Sequence, residues 1–329
     1  MDARTEWLAR GAEAALDPEL PICDPHHHLW IYPDNRYLLA EFLADAAGGH
    51  RIERTVHVEC AMFYREGGAE ELRPVGETER VHQLTEATQA TATRVAAGIV
   101  GLADLRLGAA VRPVLEAHRA ASPRFRGVRF GTARDDAGQL HPSHTRPAPQ
   151  LMQQPDFRAG LRCVAEAGLV FDAWMYFGQL PELHDMARAL PELCIVLDHA
   201  GGPVGIGAYA GRRQEVFDAW HAHMRSLAEL PNVMVKLGGL TMTMAGFGWH
   251  KLPGPPSSTT LAEAMRPYFL SCIELFGVQR CMFESNFPMD RVSCSYTVLW
   301  NAFKRVTEGF SDDERRALFH DNAVRAYAL

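Results

Sequence analysis

Two histidines separated by one residue, His26 and His28, close a short apolar run in Cys23-Asp24-Pro25-His26-His27-His28-Leu29-Trp30. Strand side chains alternate faces, so this spacing puts both imidazoles on one face, with Asp24 just below them and His27 directed away. At ~3.3 Å of rise per residue their Cα atoms would lie roughly 6.6 Å apart. Two imidazoles at that separation can converge on one metal ion or on one substrate oxygen. A histidine-rich turn packed on Trp30 would carry the same letters. The position at the end of a first strand is what favours chemistry.

The frame for that strand is repetitive. Eight short β-like runs cover residues 20–24, 53–60, 95–103, 125–130, 169–175, 193–198, 233–237 and 280–284. Helical patterns fill the gaps at residues 77–92, 109–120, 157–167, 180–190, 213–230, 261–276 and 296–307. Thr260 to Glu263 and Ser311 to Glu314 each read as a capping box opening a helix. Strands alternating with helices predict an α/β fold with a parallel sheet. Eight such units in 329 residues predict a single (β/α)8 TIM barrel over residues 1–329, with 1–19 as an N-terminal extension. The rival, a doubly wound open sheet, lacks the glycine-rich turn after its first strand. Long irregular stretches at 61–76, 131–155 and 238–259 leave carboxyl ends of strands, the face on which barrel active sites form. The last holds Phe247, Trp249 and His250, which suits a lid.

Composition narrows the partners. A formal charge of −7 and no basic run argue against nucleic acid. No stretch of ~18 apolar residues predicts a membrane span. The N-terminal residues lack the apolar core of a secretory signal. Seven scattered cysteines without a Cys-x-x-Cys pair read as free thiols of a reducing compartment, so a cytoplasmic location is expected. Only Lys236, Lys251 and Lys304 are lysines among 33 basic residues, so arginine usage here reflects composition. The expected partner is a small-molecule substrate. A homodimer is a further expectation, since barrels of this size often pair.

Several motifs in order carry a resemblance. Asp24-x-His26-x-His28-x-Trp30 is similar to the opening motif of the amidohydrolase-2 family. Val196-Leu-Asp-His199-Ala-Gly-Gly-Pro203 resembles its strand-6 histidine motif, and Val235-Lys-Leu-Gly-Gly-Leu240 its strand 7. Phe283-Glu-Ser-Asn286-Phe-Pro288 resembles its strand-8 motif, and Asn322-Ala-x-Arg325-x-Tyr327 its closing helix. The resemblance implies a distorted (β/α)8 barrel and a hydrolase or decarboxylase activity, metal-dependent in many members. Its lactonase-like branch, which acts on pyrone dicarboxylates and sugar lactones, is the nearest in pattern.

This chain departs from the family's pattern at two positions. The fifth strand reads Phe171-Asp172-Ala173-Trp174-Met175-Tyr176, without the histidine or carboxylated lysine of metal-dependent members. At the strand-8 aspartate stands Asn286, an amide that neither takes a proton from water nor binds zinc well. A metal, zinc if any, would rest on His26, His28 and His199, bound weakly; the expectation is no required cofactor or one weakly bound divalent ion. Water then needs another base. Glu284, Asp290, Glu59 or a histidine are candidates, burial raising a carboxyl into range. Glu284 could instead be a buried carboxylate paired with an arginine such as Arg129. On the resemblance, His26, His28, His199, Asn286 and Glu284 form the catalytic set. Arg129, Tyr64, Tyr176, Gln179, Trp249, His250 and Asp290 are the candidate substrate contacts, and the Met242–Met244 cluster is expected to be packing, its loop position leaving pocket lining open. The expected activity is opening of a sugar or dicarboxylate lactone by water attack on its carbonyl. The alternatives are a metal-dependent amide hydrolase or decarboxylase, and a non-catalytic binding protein.

Overall fold

A computed structural model describes residues 3–135 and 138–329; residues 136 and 137, within the 131–155 stretch, lie outside the described residues. The chain opens with α1 (Ala3–Ala9), β1 (Pro21–His27), the hairpin β2 (Trp30–Tyr32) and β3 (Asn35–Tyr37), α2 (Leu39–Ala46) and β4 (Arg51–Val58). There follow α3 (Val75–Thr85), β5 (Arg94–Gly101), α4 (Arg112–Ala121), β6 (Phe125–Arg129), α5 (Pro155–Glu166), β7 (Val170–Ala173), α6 (Leu180–Ala189) and β8 (Ile195–Leu197). The chain then runs through α7 (Arg213–Ala228), β9 (Val233–Leu237), α8 (Ser258–Phe276), β10 (Cys281–Phe283), α9 (Tyr296–Val306), α10 (Asp312–Arg316) and α11 (Asn322–Ala326).

Eight parallel strands follow one another in the order β1-β4-β5-β6-β7-β8-β9-β10. Backbone bonds from Asn286 N to His26 O at 2.9 Å and from His28 N to Phe287 O at 2.7 Å bring the last strand's end to the first, so the sheet closes as a barrel. Asp24 completes the seam by accepting from Ser285 N and Oγ at 2.9 and 2.6 Å. The predicted strands all occur, each within a few residues of the observed bounds.

Strand alternation builds the barrel in layers. Ile195 and Leu197, Val233, Val235 and Leu237, and Cys281 and Phe283 face the helices in the large outer core. Val170, Val196, Met234 and Met282 face inward with Cys23, Val56, Val58 and Val100, and Tyr327 plugs them from below. Two residues later come Asp172 on β7 and Lys236 on β9, with Asp198 and Glu284 just past the ends of β8 and β10, all fully buried. The floor of the barrel is therefore apolar and the layer above it is ionic.

Two sequence expectations are corrected here. Asp24 does not share the face of His26 and His28. Between Asp24 and His27 the β1–β4 register takes three residues against two, from Thr55 to His57, and this irregularity reverses the parity. Asp24 consequently points outward, accepting from Tyr296 Oη at 2.9 Å. The helix expected to open at a Thr260 capping box starts at Ser258, because the Ser257 hydroxyl accepts from Thr260 N and is the cap. The Ser311–Glu314 box forms as expected. No described helix is long and apolar enough to cross a membrane.

Candidate active site

Above the ionic layer a cavity of about 840 Å³ opens at the carboxyl ends of the strands. His28, Arg129, Trp174, His199 and Asn286 line it, together with Trp30, Tyr32, Asp34 and Asn35 of the β2–β3 segment. Tyr176, His144, Met242, Met244 and Arg291 supply other walls, and Arg4 reaches in from α1.

His28 Nδ1 bonds the Val58 carbonyl at 2.8 Å, which fixes that nitrogen as the N–H and leaves Nε2 as an acceptor. Burial, with the nearby His26 and Arg129 charges, holds its pKa well below the ordinary histidine value, so the ring is neutral. His27 turns away as expected, its Nε2 2.8 Å from Thr55 Oγ1 and its ring against Phe42.

His199 sits just after β8 at φ 55°, a left-handed conformation, and lines the cavity. Its Nδ1 lies 2.6 Å from Glu284 Oε1, which also accepts from His199 N at 2.9 Å. Burial lowers the His199 pKa and outweighs the pull of Glu284, so the ring is neutral near pH 7. Against burial, His199 and His26 hold the Glu284 carboxyl far below its usual range, so it stays ionised. Gly238 and Gly239 make this pairing fit. A Cβ on Gly238 would stand 2.3 Å from Glu284 Cγ, and one on Gly239 2.4 Å from His199 Cβ. The Gly-Gly pair after β9 is thus explained by close approach.

Asn286 also has positive φ, 54°, which asparagine tolerates. Its side chain is buried and neither its Oδ1 nor its Nδ2 has a hydrogen-bond partner, although it lines the cavity. Asp290 is fully buried behind it, bonded by Thr241 Oγ1, with burial raising its pKa to about 7. The Asn286 amide lies near enough to lower that value while falling outside hydrogen-bond geometry.

Arg129 ends β6 and pairs with Glu59, Nε to Oε1 at 2.8 Å and Nη2 to the backbone carbonyl. Its Nη1 is left 3.5 Å from His26 Nε2. The partner suggested for Glu284 is therefore replaced: Glu284 faces His199 and His26, the latter at 2.9 Å, and Arg129 takes Glu59.

His26 lies beneath the cavity floor. Its Nδ1 is 2.9 Å from Glu284 Oε2, 3.4 Å from Asp198 Oδ1 and 3.2 Å from Lys236 Nζ. Lys236 in turn lies 2.6 Å from Asp172 Oδ2 and 3.0 Å from Asp198 Oδ1. Tyr327 Oη donates to Asp172 from below at 2.8 Å. Asp172, Asp198 and Lys236 are the residues that sequence reasoning passed over. Their signal was present: a lone lysine inside the apolar strand Val-Met-Val-Lys-Leu, two residues beyond an inward Met234.

Of the expected substrate contacts, Arg129 and Tyr176 line the cavity, Tyr176 with its hydroxyl on the His141 carbonyl at 2.6 Å. Gln179 does not line it; its amide ties the loop after β6 by bonding Arg134 N and Thr132 O. Tyr64 packs on the core with an unpartnered buried hydroxyl. Trp249 is buried against Phe247, ring centroids 4.3 Å apart, and His250 follows it outside the cavity wall. Met242 and Met244 line the cavity, the alternative that their loop position left open.

Three groups among the described residues bring ligand atoms within 4.8 Å of one another: His26–His199–Glu284, His26–Asp172–Asp198 and His57–Cys60–Glu77. His28 belongs to none of them.

Comparison with known proteins decides the family. The amidohydrolase family model (Amidohydro_2) matches residues 23–329. The chain belongs to this family. A relative named uncharacterized protein y4mH, of Sinorhizobium fredii, is 32% identical over 94% of this chain and 99% of its own length. An L-fucono-1,5-lactonase of Burkholderia ambifaria is 30% identical over 73% of each chain. An amidohydrolase of Burkholderia multivorans, solved with bound zinc, superposes with a TM-score of 0.73 at 25% identity, covering 94% of this chain and 99% of that one.

Proposed function

We propose that this amidohydrolase opens a lactone ring by adding water to its carbonyl, with His199 as the base. The observation that carries this is one pair: a neutral His199 whose Nδ1 faces an ionised Glu284 and whose other nitrogen is left for the cavity. A carboxylate that orients a neutral imidazole in this way prepares it to take a proton. The lactonase names of two Burkholderia relatives support the substrate class.

The steps balance without a further reactant. Water between His199 and the lactone carbonyl gives its proton to Nε2 as its oxygen bonds the carbonyl carbon. The negative charge that develops on the carbonyl oxygen is received by the unpartnered Asn286 amide and by Arg129, donors held in place beforehand. The tetrahedral carbon then expels the ring oxygen, which takes the proton back from His199. A hydroxy acid leaves. His28 Nε2, an acceptor, orients a substrate hydroxyl, and Trp174, edge-on to His199 at 4.8 Å, presents an apolar wall to the sugar ring.

The residues do not suit a resident metal ion, and no step passes through one. An ion on the Nδ1 atoms of His26 and His199 would take the place of the proton by which His199 faces Glu284. Bound at the usual ~2 Å, it would also crowd an ammonium 3.2 Å from the same His26 nitrogen. On the cavity side only His28 and His199 nitrogens remain, beside an amide.

A panel of five- and six-membered sugar lactones and dicarboxylate lactones, followed by acid release at constant pH, tests the reading. Turnover of at least one class, retained after chelation, is expected. No turnover of any lactone would refute it.

A further inference from the structure

The second candidate ion site, His26–Asp172–Asp198, holds a cationic group of the chain itself. The ligand atoms surround Lys236 Nζ at 2.6 Å from Asp172, 3.0 Å from Asp198 and 3.2 Å from His26 Nδ1. All four side chains are fully buried. The geometry points to Lys236 as a built-in cation standing at the centre of a latent divalent metal site, so that removing its side chain converts this cluster into one that binds zinc.

Charge and space both support this. Two carboxylates with a third, Glu284, nearby cannot stay ionised in a dry layer without a positive centre. The ammonium is that centre. It is held by an inward-facing position on β9 and underlain by Tyr327, whose ring lies 5.4 Å from Nζ. An imidazole nitrogen and two carboxylate oxygens are a common three-ligand set for zinc, with a fourth position left for water. What excludes an ion is the ammonium, since the donors themselves are of the right kind. Lys236 is therefore a positioning residue: it sets His26 and, through the shared Glu284, the carboxylate that orients His199.

Metal content reads this independently of any substrate, so it can fail while lactone opening stands, or succeed while lactone opening fails. Wild type, Lys236→Ala and the double variant Lys236→Ala/Asp172→Asn are incubated with zinc chloride, desalted and analysed for retained metal. Lys236→Ala is expected to keep about one equivalent of zinc more than wild type, to melt at a higher temperature with zinc than without, and to lose both effects when Asp172→Asn is added. No gain in Lys236→Ala, or a gain that survives Asp172→Asn, overturns the inference. If Lys236→Ala does not fold in metal-free medium, expression with added zinc decides. Folding restored by zinc supports the proposal, and failure with zinc as well as without it overturns it.

Discussion

At the residue scale, His199 and Glu284 form one hydrogen-bonded pair, and its proposed role as an oriented base makes definite demands. Glu284→Gln keeps the shape and removes the charge that orients the imidazole. It is expected to lower kcat by about 10²–10⁴-fold with little change in KM. Steady-state kinetics on a responsive lactone checks it, and an unchanged kcat would place the base elsewhere. The pH dependence follows from burial. His199 is held below the ordinary histidine value, so the acid limb of kcat/KM should fall below pH 6.5, where an exposed histidine would titrate. Asn286→Asp tests the amide. A carboxylate there repels the developing oxyanion, with Glu284 ionised nearby, and kcat should drop by about 10²-fold or more. Were Asn286 only a vestige of a metal ligand, the aspartate would leave the rate unchanged.

At the element scale, the barrel positions chemistry by parity. Each of β7 to β10 ends an apolar run with a charged residue two positions beyond an inward apolar one: Val170 and Asp172, Val196 and Asp198, Met234 and Lys236, Met282 and Glu284. The eight strands were legible because each is a short apolar run between helical patterns. The ionic layer was not read, because its members meet only across the barrel and their spacing along the chain says nothing of that. His26 and His28 were placed on one face correctly, while Asp24 was assigned to the wrong one, since a register irregularity leaves no mark in a run of single letters. The helix layer carries its own pH sensor. Glu77 on α3 accepts from Cys60 N at 2.8 Å and lies 3.2 Å from His57 Nε2, tying α3 to the end of β4. Burial, then the Glu59 charge, raises its pKa to about 8. Because the folded form binds this proton and the unfolded chain releases it at ordinary carboxyl values, its contribution to stability fades as pH rises towards 8. Glu77→Gln keeps a neutral acceptor there. Its Tm should depend less on pH between 6.5 and 8.5 than that of wild type, and an equal dependence would contradict the argument.

At the scale of the whole molecule, residues before the barrel are part of its structure. Trp7 and Leu8 are buried, Trp7 Nε1 donates to Leu252 O at 3.0 Å, and Glu13 receives Ser258 N at 2.8 Å. Lys304 Nζ reaches the Leu16 and Asp17 carbonyls at 2.8 Å, and Thr5 accepts from Arg291 at the cavity rim. Removing residues 1–19 should lower Tm by more than about 5 °C and raise KM, because Arg4 and the support of Arg291 are lost from the mouth. A truncated chain with unchanged Tm and KM would reduce this segment to an appendage. The extension was legible as a segment before the first strand, but not as a wall of the site, since its contacts are with residues about 245 to 290 positions away.

The central claim is that an imidazole oriented by Glu284, working without a metal, activates water against a lactone. The pH profile of kcat/KM for lactone opening by chelator-stripped protein tests it most directly. The account predicts undiminished turnover with an acid limb below pH 6.5. Turnover that vanishes on stripping and returns only with zinc would contradict it.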